Sequence, residues 1–559
     1  MKLSLRCETL LEALSLHAGA SRVVTFVGDD DVPLATSYAE IEERSLSLAR
    51  ALVAAGLERG EVVPMVLPTS LEFVVSFFGI LMAGGTPSPL GLPAGFGDID
   101  NFARRTTAIC RFLHAKRIII SPGLAAMATA GSDVEAIVDP LALEGPADVV
   151  LPTIGDNDVA LVQCTSGSTG VPKGVVLSHT SVLANVHQIG VGVSATDDDV
   201  VVAWLPLNHD MGLIGSLLFS IYWGLELVLL SPVTFLRRPV SWLAAISRYR
   251  GTLSPAPNFA YAYASARTKE ADLAGIDLSS WRVGFCGAEP ISPQTMRTFQ
   301  DRFASAGLRA NMILPCYGLA EACLAVTFRP ALAPLAVDCL DRDRLTLGEA
   351  RFGDGGPGPV VNVVSCGKPL SGTEVVIRDR DGNDLPEMSV GRIMVRGPSV
   401  MRGYFDDAAR TQEILGADGW LWTGDVGYMR GGELYVSGRE KDIIILRGKN
   451  FVPSEFEWAA EQVTGVRRGN AVAFGVSSPV TGTELLVIAC ETDIGVGTER
   501  EELRRRVVTH VMQQTGIRPD AVHLVSRERL PKTTSGKLQR SKAKQAYVEE
   551  RPSVAWRVF

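Results

Sequence analysis

The stretch Thr165-Ser-Gly-Ser-Thr-Gly-Val-Pro-Lys-Gly174 lies between an apolar run, Val159–Cys164, and the strand-like segment Gly174–His179 (GVVLSH). Glycines let a backbone turn several N–H groups toward one point, and small hydroxyl side chains add further donors. Lys173 contributes a formal positive charge. The stretch therefore reads as a loop that holds a polyphosphate, with Thr165, Ser166, Gly167, Ser168, Thr169, Gly170 and Lys173 as candidate ligands. It is not a G-x-x-x-x-G-K-[ST] loop, because Pro172 stands where the second glycine is required. A strand follows the loop, so a helix dipole is not the obvious anion holder.

Outward from this loop, short buried strands alternate with helices. Val62–Leu67 reads as a strand, Leu71–Ala83 as an apolar helix closing on Gly84-Gly85, and Arg117–Ile120, Val200–Ala203 and Leu227–Leu230 as further strands. Such alternation predicts an α/β fold of parallel sheets covered by helices. The run Met211–Val233 is long and apolar. Glu226, the internal glycines and the closing Ser-Pro pair make it a buried helix leading into a buried strand rather than a membrane span.

Two breaks divide the chain. Residues 329–361 begin with prolines, carry a charged middle and end in a Gly/Pro cluster, which reads as an insertion or flexible connector. A second boundary falls at Ser437–Gly438. The sequence predicts a body over 1–437 and a small α+β unit over 438–559, with helices near Ser454–Val463 and Glu499–Gln514.

The whole chain has 559 residues, of which 46% are hydrophobic and 21% charged, with a net charge of −8. That composition excludes a predominantly disordered chain. The negative balance argues against a nucleic-acid partner held by the overall field, so an anion has to be gripped locally. The nine cysteines form no C-x-x-C pair and suggest neither a disulfide framework nor a zinc site. A cytoplasmic protein without stable membrane insertion is the expectation.

The loop closely resembles the phosphate loop of the adenylate-forming superfamily: acyl-CoA synthetases, peptide-synthetase adenylation domains and firefly luciferase. Four more motifs resemble that family in order. They are Tyr317-Gly-Leu-Ala-Glu321, Trp422-Thr-Gly-Asp425, the hinge-like Gly438-Arg-Glu-Lys-Asp442, and Pro531-Lys-Thr-Thr-Ser-Gly-Lys537. The resemblance implies ATP as substrate and Mg²⁺ as metal. Glu321 would be the metal-binding carboxylate, since a hard cation takes oxygen ligands. Gly287, Ala288 and Glu289 would line the adenine, with Tyr317 and Gly318 opposite. Asp425 would accept the ribose hydroxyls, Arg439 would reach ribose or phosphate, and Lys441 would be the hinge. Lys537 would swing in to stabilise charge as the adenylate forms. Without the resemblance it would be one lysine in a solvated basic tail.

Within the superfamily, Leu205-Pro-Leu-Asn-His-Asp-Met-Gly-Leu-Ile-Gly215, Ser254-Pro-Ala-Pro-Asn-Phe-Ala-Tyr261 and Val364-Ser-Cys-Gly-Lys-Pro369 resemble the fatty acyl-AMP ligases. Those enzymes carry an insertion where residues 329–361 fall. The resemblance implies a fatty acid substrate and transfer to an acyl carrier protein; the chain shows no D-S-L-type phosphopantetheine site, so that carrier is expected to act in trans. His209 would close the pocket near the carboxylate, and Asp210 would be structural and hydrogen-bonded. Met211, Ile214 and Tyr261 are acyl-pocket candidates, with ordinary core packing as the alternative for each. Two segments depart from the superfamily pattern: Arg447–Glu457, which puts acceptor choice in doubt, and Met401-Arg-Gly-Tyr-Phe405. CoA as acceptor is the alternative reading; a non-catalytic acyl- or nucleotide-binding module is disfavoured because Glu321, Asp425 and Lys537 are all present.

Overall fold

The computed structural model describes residues 3–28, 32–93, 99–129, 133–165, 173–353, 360–446, 449–477, 484–527, 529–532 and 537–549. Ser166, Gly167, Ser168, Thr169 and Gly170, the middle of the phosphate-type loop, lie outside them.

The largest sheet has nine strands. Its centre runs Ile313–Gly318, Val283–Gly287, Leu253–Pro257, Val200–Ala203, Glu226–Leu230 and Val23–Val27, all parallel. Antiparallel strands flank this centre at both edges. A second, all-parallel sheet is ordered Thr86–Pro89, Val62–Val66, Arg117–Ile120, Glu135–Ile137. The α/β architecture follows from near-continuous apolar strands that must be covered on both faces. Helix Leu71–Met82 shows the same demand, because only Glu72 in it escapes burial.

The Met211–Val233 run folds as expected of a buried helix and strand. A helical turn, Asp210–Gly212, continues through a π-helical segment, Leu213–Leu218, into helix Phe219–Trp223. Gly224 caps that helix in the left-handed region at φ +67°, and strand Glu226–Leu230 follows. Leu213, Ile214, Leu217, Leu218 and Phe219 are at most 1% exposed, each contributing about 1.5–3 kcal/mol of burial. Among the described residues no helix is long and apolar enough to cross a membrane.

Residues 329–361, read as an insertion or flexible connector, carry regular structure in their described part. Strand Val337–Asp341 pairs antiparallel with Val360–Val364, and helix Arg342–Thr346 follows the first of them. The alternation Val337, Cys339, Asp341 against buried Asp338 and Leu340 is a half-buried strand pattern hidden by its charges. Asp338 is buried because the Tyr428 hydroxyl (2.9 Å) and the Arg430 guanidinium (2.6 Å) donate to it.

One hydrophobic core extends from Leu10 to Leu434. A separate core contains Ile444, Phe456, Leu486, Leu503 and Leu524. It is built from strands Ala471–Ser477, Glu484–Thr492 and Ala521–Ser526 with helices Pro453–Glu461 and Thr498–Thr515. Helix Arg540–Glu549 packs on the other face of those strands through Ala543 and Tyr547.

Candidate active site

The central parallel strands end at Ala203, Pro257, Gly287 and Gly318. In open α/β sheets the carboxyl ends of the strands open onto the ligand crevice. Here a cavity of about 1850 Å³ opens beyond these strands and is walled on its far side by residues after 437. Candidates from five separated motifs, among them Thr165, Lys173, Tyr317, Glu321, Asp425, Arg439, Lys441 and Lys537, line it.

Thr165 and Lys173 are partners in an antiparallel ladder, and both line this cavity. The Lys173 ammonium lies 3.3 Å from the Tyr404 hydroxyl, which donates to Glu321 Oε1 at 2.7 Å. Loss of water around Lys173 lowers its amine pKa, and Glu321 opposes that shift. Glu321 reaches the cavity because the chain turns sharply after Tyr317. A Cβ on Gly318 would stand 1.7 Å from the Leu324 carbonyl oxygen, so only glycine permits the bulge there.

The Tyr317 hydroxyl donates to Asp425 Oδ2 (2.8 Å), and Arg439 Nε donates to Oδ1 (3.2 Å). Burial pushes the Asp425 carboxyl up, while Arg439 and the Tyr317 hydroxyl pull it down. Gly424, at φ +79°, makes the turn that presents Asp425. Ala288 has φ +68°, a strained conformation for an alanine, and such strain concentrates where a ligand is clamped. Ala288 and Glu289 both line the cavity. Gly287 sits against Cys316, where a Cβ would be 2.7 Å from Sγ.

Lys537 approaches from the small unit. Its Nζ lies 3.3 Å from His209 Nε2, 328 residues away in sequence. Desolvation lowers the Lys537 pKa, opposed by the charges of Asp210 and Glu289. Glu289 accepts from the Phe259 N–H at 2.5 Å, and its own carboxyl is pushed up by burial. Asp210 is within 2.6 Å of His209 Nδ1 and accepts the Met211 N–H at 2.7 Å. Burial alone would raise the Asp210 carboxyl, but His209 and Lys537 hold it down at about 2.

The apolar wall divides the acyl candidates. Met211 lines the cavity; Ile214 and Tyr261 do not. Tyr261 is fully buried, with its hydroxyl donating to the Phe285 carbonyl (2.9 Å) and its ring against Trp242 and Phe299. Ile214 is fully buried in the main core. Phe259 and Ala262 form the cavity side of helix Asn258–Arg267, and Gly215, Phe285 and Leu324 join them. The i, i+3 spacing of 259 and 262, and the i, i+4 spacing of 211 and 215, were the available signals. Tyr404, in the departing segment 401–405, was also missed as a site residue.

The strand-end cavity gathers the buried carboxylate of Asp425, the Lys173–Tyr404–Glu321 chain and Lys537, the side chains expected of an enzyme that activates acids through a nucleotide. The family model described as AMP-binding enzyme matches residues 20–405. The chain belongs to this adenylate-forming family of enzymes. It is 33% identical over 574 residues to FadD26 of Mycobacterium bovis, a long-chain-fatty-acid–AMP ligase, covering 96% of each chain. It is 30% identical to JamA of Moorena producens, a medium-chain-fatty-acid–[acyl-carrier-protein] ligase, covering 97% of this chain and 94% of that one. A solved structure from a study of fatty acyl-adenylate ligases of E. coli and L. pneumophila superposes with a TM-score of 0.93. It shares 34% identity and covers 98% of this chain and 99% of that chain.

Proposed function

We propose that this enzyme converts a fatty acid and ATP into acyl-adenylate and pyrophosphate, then passes the acyl group to the phosphopantetheine thiol of an acyl carrier protein. The observation that carries the reading is the convergence of Lys173, Glu321, Asp425 and Lys537 on one cavity, from positions spanning 365 residues. A carboxylate oxygen attacks the α-phosphorus, the bond to pyrophosphate breaks, and the acyl anhydride forms. Positioning and charge neutralisation supply most of the rate for phosphoryl-type transfers. In this reading Lys173 and the 165–173 loop hold the phosphates, Asp425 and Arg439 hold the ribose, and the Tyr317 ring with Ala288 holds the adenine. Lys537 neutralises charge between the acid and the α-phosphate.

Glu321 is a hard carboxylate open to the cavity beside a phosphate-binding lysine, and it fits an Mg²⁺ shared with phosphate oxygens. When bound, that ion supplies charge neutralisation. The Tyr404 hydroxyl orients the Glu321 carboxylate.

The division at 437/438, with Lys441 as hinge, gives the small unit freedom to bring different residues to the thiol step. The acceptor reading rests on the insertion. Arg342 pairs with Glu455 and donates to the Thr515 carbonyl, and Lys449 lies 2.6 Å from Asp343. These contacts tie Arg342 and Asp343 of the insertion to the small unit and narrow its range of rotation about Lys441, which in this reading disfavours CoA. The name of JamA supports a carrier acceptor. Pyrophosphate release across acids of increasing chain length tests the first step. Transfer to holo carrier protein against CoA tests the second: carrier-dependent thioester supports the proposal, and CoA thioester as the main product overturns the acceptor.

A further inference from the structure

Lys537 meets a prepared partner rather than an arbitrary side chain. The partner sits in the loop after strand Val200–Ala203, which is anchored from below: Gln163 Nε2 donates to the Asn208 carbonyl at 2.8 Å. His209 Nδ1 lies 2.6 Å from Asp210 Oδ1. A contact that short to a carboxylate requires the proton on Nδ1. The Met211 N–H is 3.3 Å from the same Nδ1 but 2.7 Å from Asp210 Oδ1, so it donates to the carboxylate and does not compete. Nε2 lies 3.3 Å from Lys537 Nζ, and a second ring proton there would set N–H against the ammonium, so beside Lys537 the ring is neutral and Nε2 carries its lone pair toward the cavity. An ammonium has donors only and an imidazole with Nδ1–H has one acceptor, so the two fit in a single sense. With the opposite tautomer, an N–H would face the ammonium.

We propose that Asp210 is a positioning residue for the adenylation step: it fixes the tautomer of His209 so that Nε2 accepts a hydrogen bond from Lys537 and docks the lysine in the cavity. This deepens the role given to Lys537 above and rests on it. The bond is directional and links the large body to the small unit, alongside the ion pairs Arg342–Glu455 and Lys449–Asp343. Glu289, the other carboxylate acting on Lys537, is engaged by the Phe259 N–H and attracts the lysine without orienting it.

The test measures fatty-acid-dependent pyrophosphate release in Asp210→Asn, Lys537→Ala and the double variant, with thermal unfolding as a control. Asp210→Asn is expected to lower kcat by about 10- to 100-fold with KM for ATP unchanged, and to add nothing in the Lys537→Ala background. Additive losses, or an unchanged kcat in Asp210→Asn, overturn the proposal. Should Asp210→Asn fail to fold, His209 carries the same test. His209→Gln offers an acceptor at the Nε2 position and is expected to retain most activity, whereas His209→Leu loses it. Equal activities in those two variants overturn the proposal. Lys537→Ala leaving release unchanged sinks the reading of Lys537 itself, a result separate from the failure of Asp210→Asn alone.

Discussion

Arg540 offers a quantitative handle on how the Lys537 segment is held. It begins helix Arg540–Glu549, three residues after Lys537. Its guanidinium makes a two-pronged contact with Glu457, Nε–Oε1 at 2.8 Å and Nη2–Oε2 at 2.7 Å, and reaches Asp442, next to the proposed hinge Lys441, at 3.2 Å. The Arg540 side chain is 23% exposed and Glu457 10%. Removing one partner of a fully buried pair costs about 3–5 kcal/mol, and the remaining exposure here places Arg540→Met at about 2–3 kcal/mol. Glu457 would then face the carboxyls of Glu289 and Glu461 with no guanidinium between. Hydrogen exchange of the buried strand Glu484–Thr492 reads this locally, and its amides should lose roughly 30- to 150-fold in protection. Pyrophosphate release should fall at least about tenfold at unchanged KM for ATP, because the residues of the large body proposed to hold the nucleotide are untouched. Adding Glu457→Gln should recover part of both losses. Protection within about threefold of the unsubstituted protein, or strict additivity with Glu457→Gln, would refute the reasoning.

Other perturbations probe separate parts of the account. Burial pushes the Glu461 carboxyl up to about 8, from an ordinary value of 4.5, against the Gly469 and Ala471 N–H groups that favour its charge. A raised acid pKa means the stability it confers is complete below the ordinary value and is lost as pH rises toward 8. Glu461→Gln should therefore flatten the decline between pH 5 and 8, by up to a few kcal/mol, in urea unfolding followed across that range; an identical decline in both proteins contradicts it. Arg342→Ala removes the contact between residues 329–361 and Glu455. Thioester formation with CoA should rise several-fold while pyrophosphate release changes less than twofold, and no gain with CoA would count against the insertion as a restraint. At Gly215 a Cβ already meets Leu324 Cδ2 at 2.7 Å. Gly215→Val should therefore shorten the preferred acyl chain by one or more methylenes, each worth about 0.8 kcal/mol of burial, in a chain-length series; an unchanged optimum contradicts that wall.

Much of the body was legible because parallel strands buried on both faces announce themselves as short apolar runs. The boundaries of Val159–Thr165 and Arg117–Ile120 fell within a residue of their reading. The motif residues were legible for a different reason: Gly318 and Gly424 are demanded by backbone geometry at the turns that present Glu321 and Asp425. Side-chain neighbours were not legible. Tyr261 and Phe259 share one helix, and only the positions of Trp242 and Phe299 decide that Tyr261 turns inward. Strand Val337–Asp341 escaped because its buried Asp338 is balanced by Arg430, 92 residues away. Tyr404 was invisible for the same cause, since its partner Glu321 lies 83 residues earlier.

Acid-dependent exchange of pyrophosphate into ATP, in the intact chain and in Lys537→Ala, tests the central claim most directly. The account predicts exchange that requires a fatty acid and falls by about 10²–10³-fold in Lys537→Ala, the loss expected when one preorganised charge is removed from the reacting centre. Exchange independent of any carboxylic acid, or retained within a few-fold after the substitution, would contradict it.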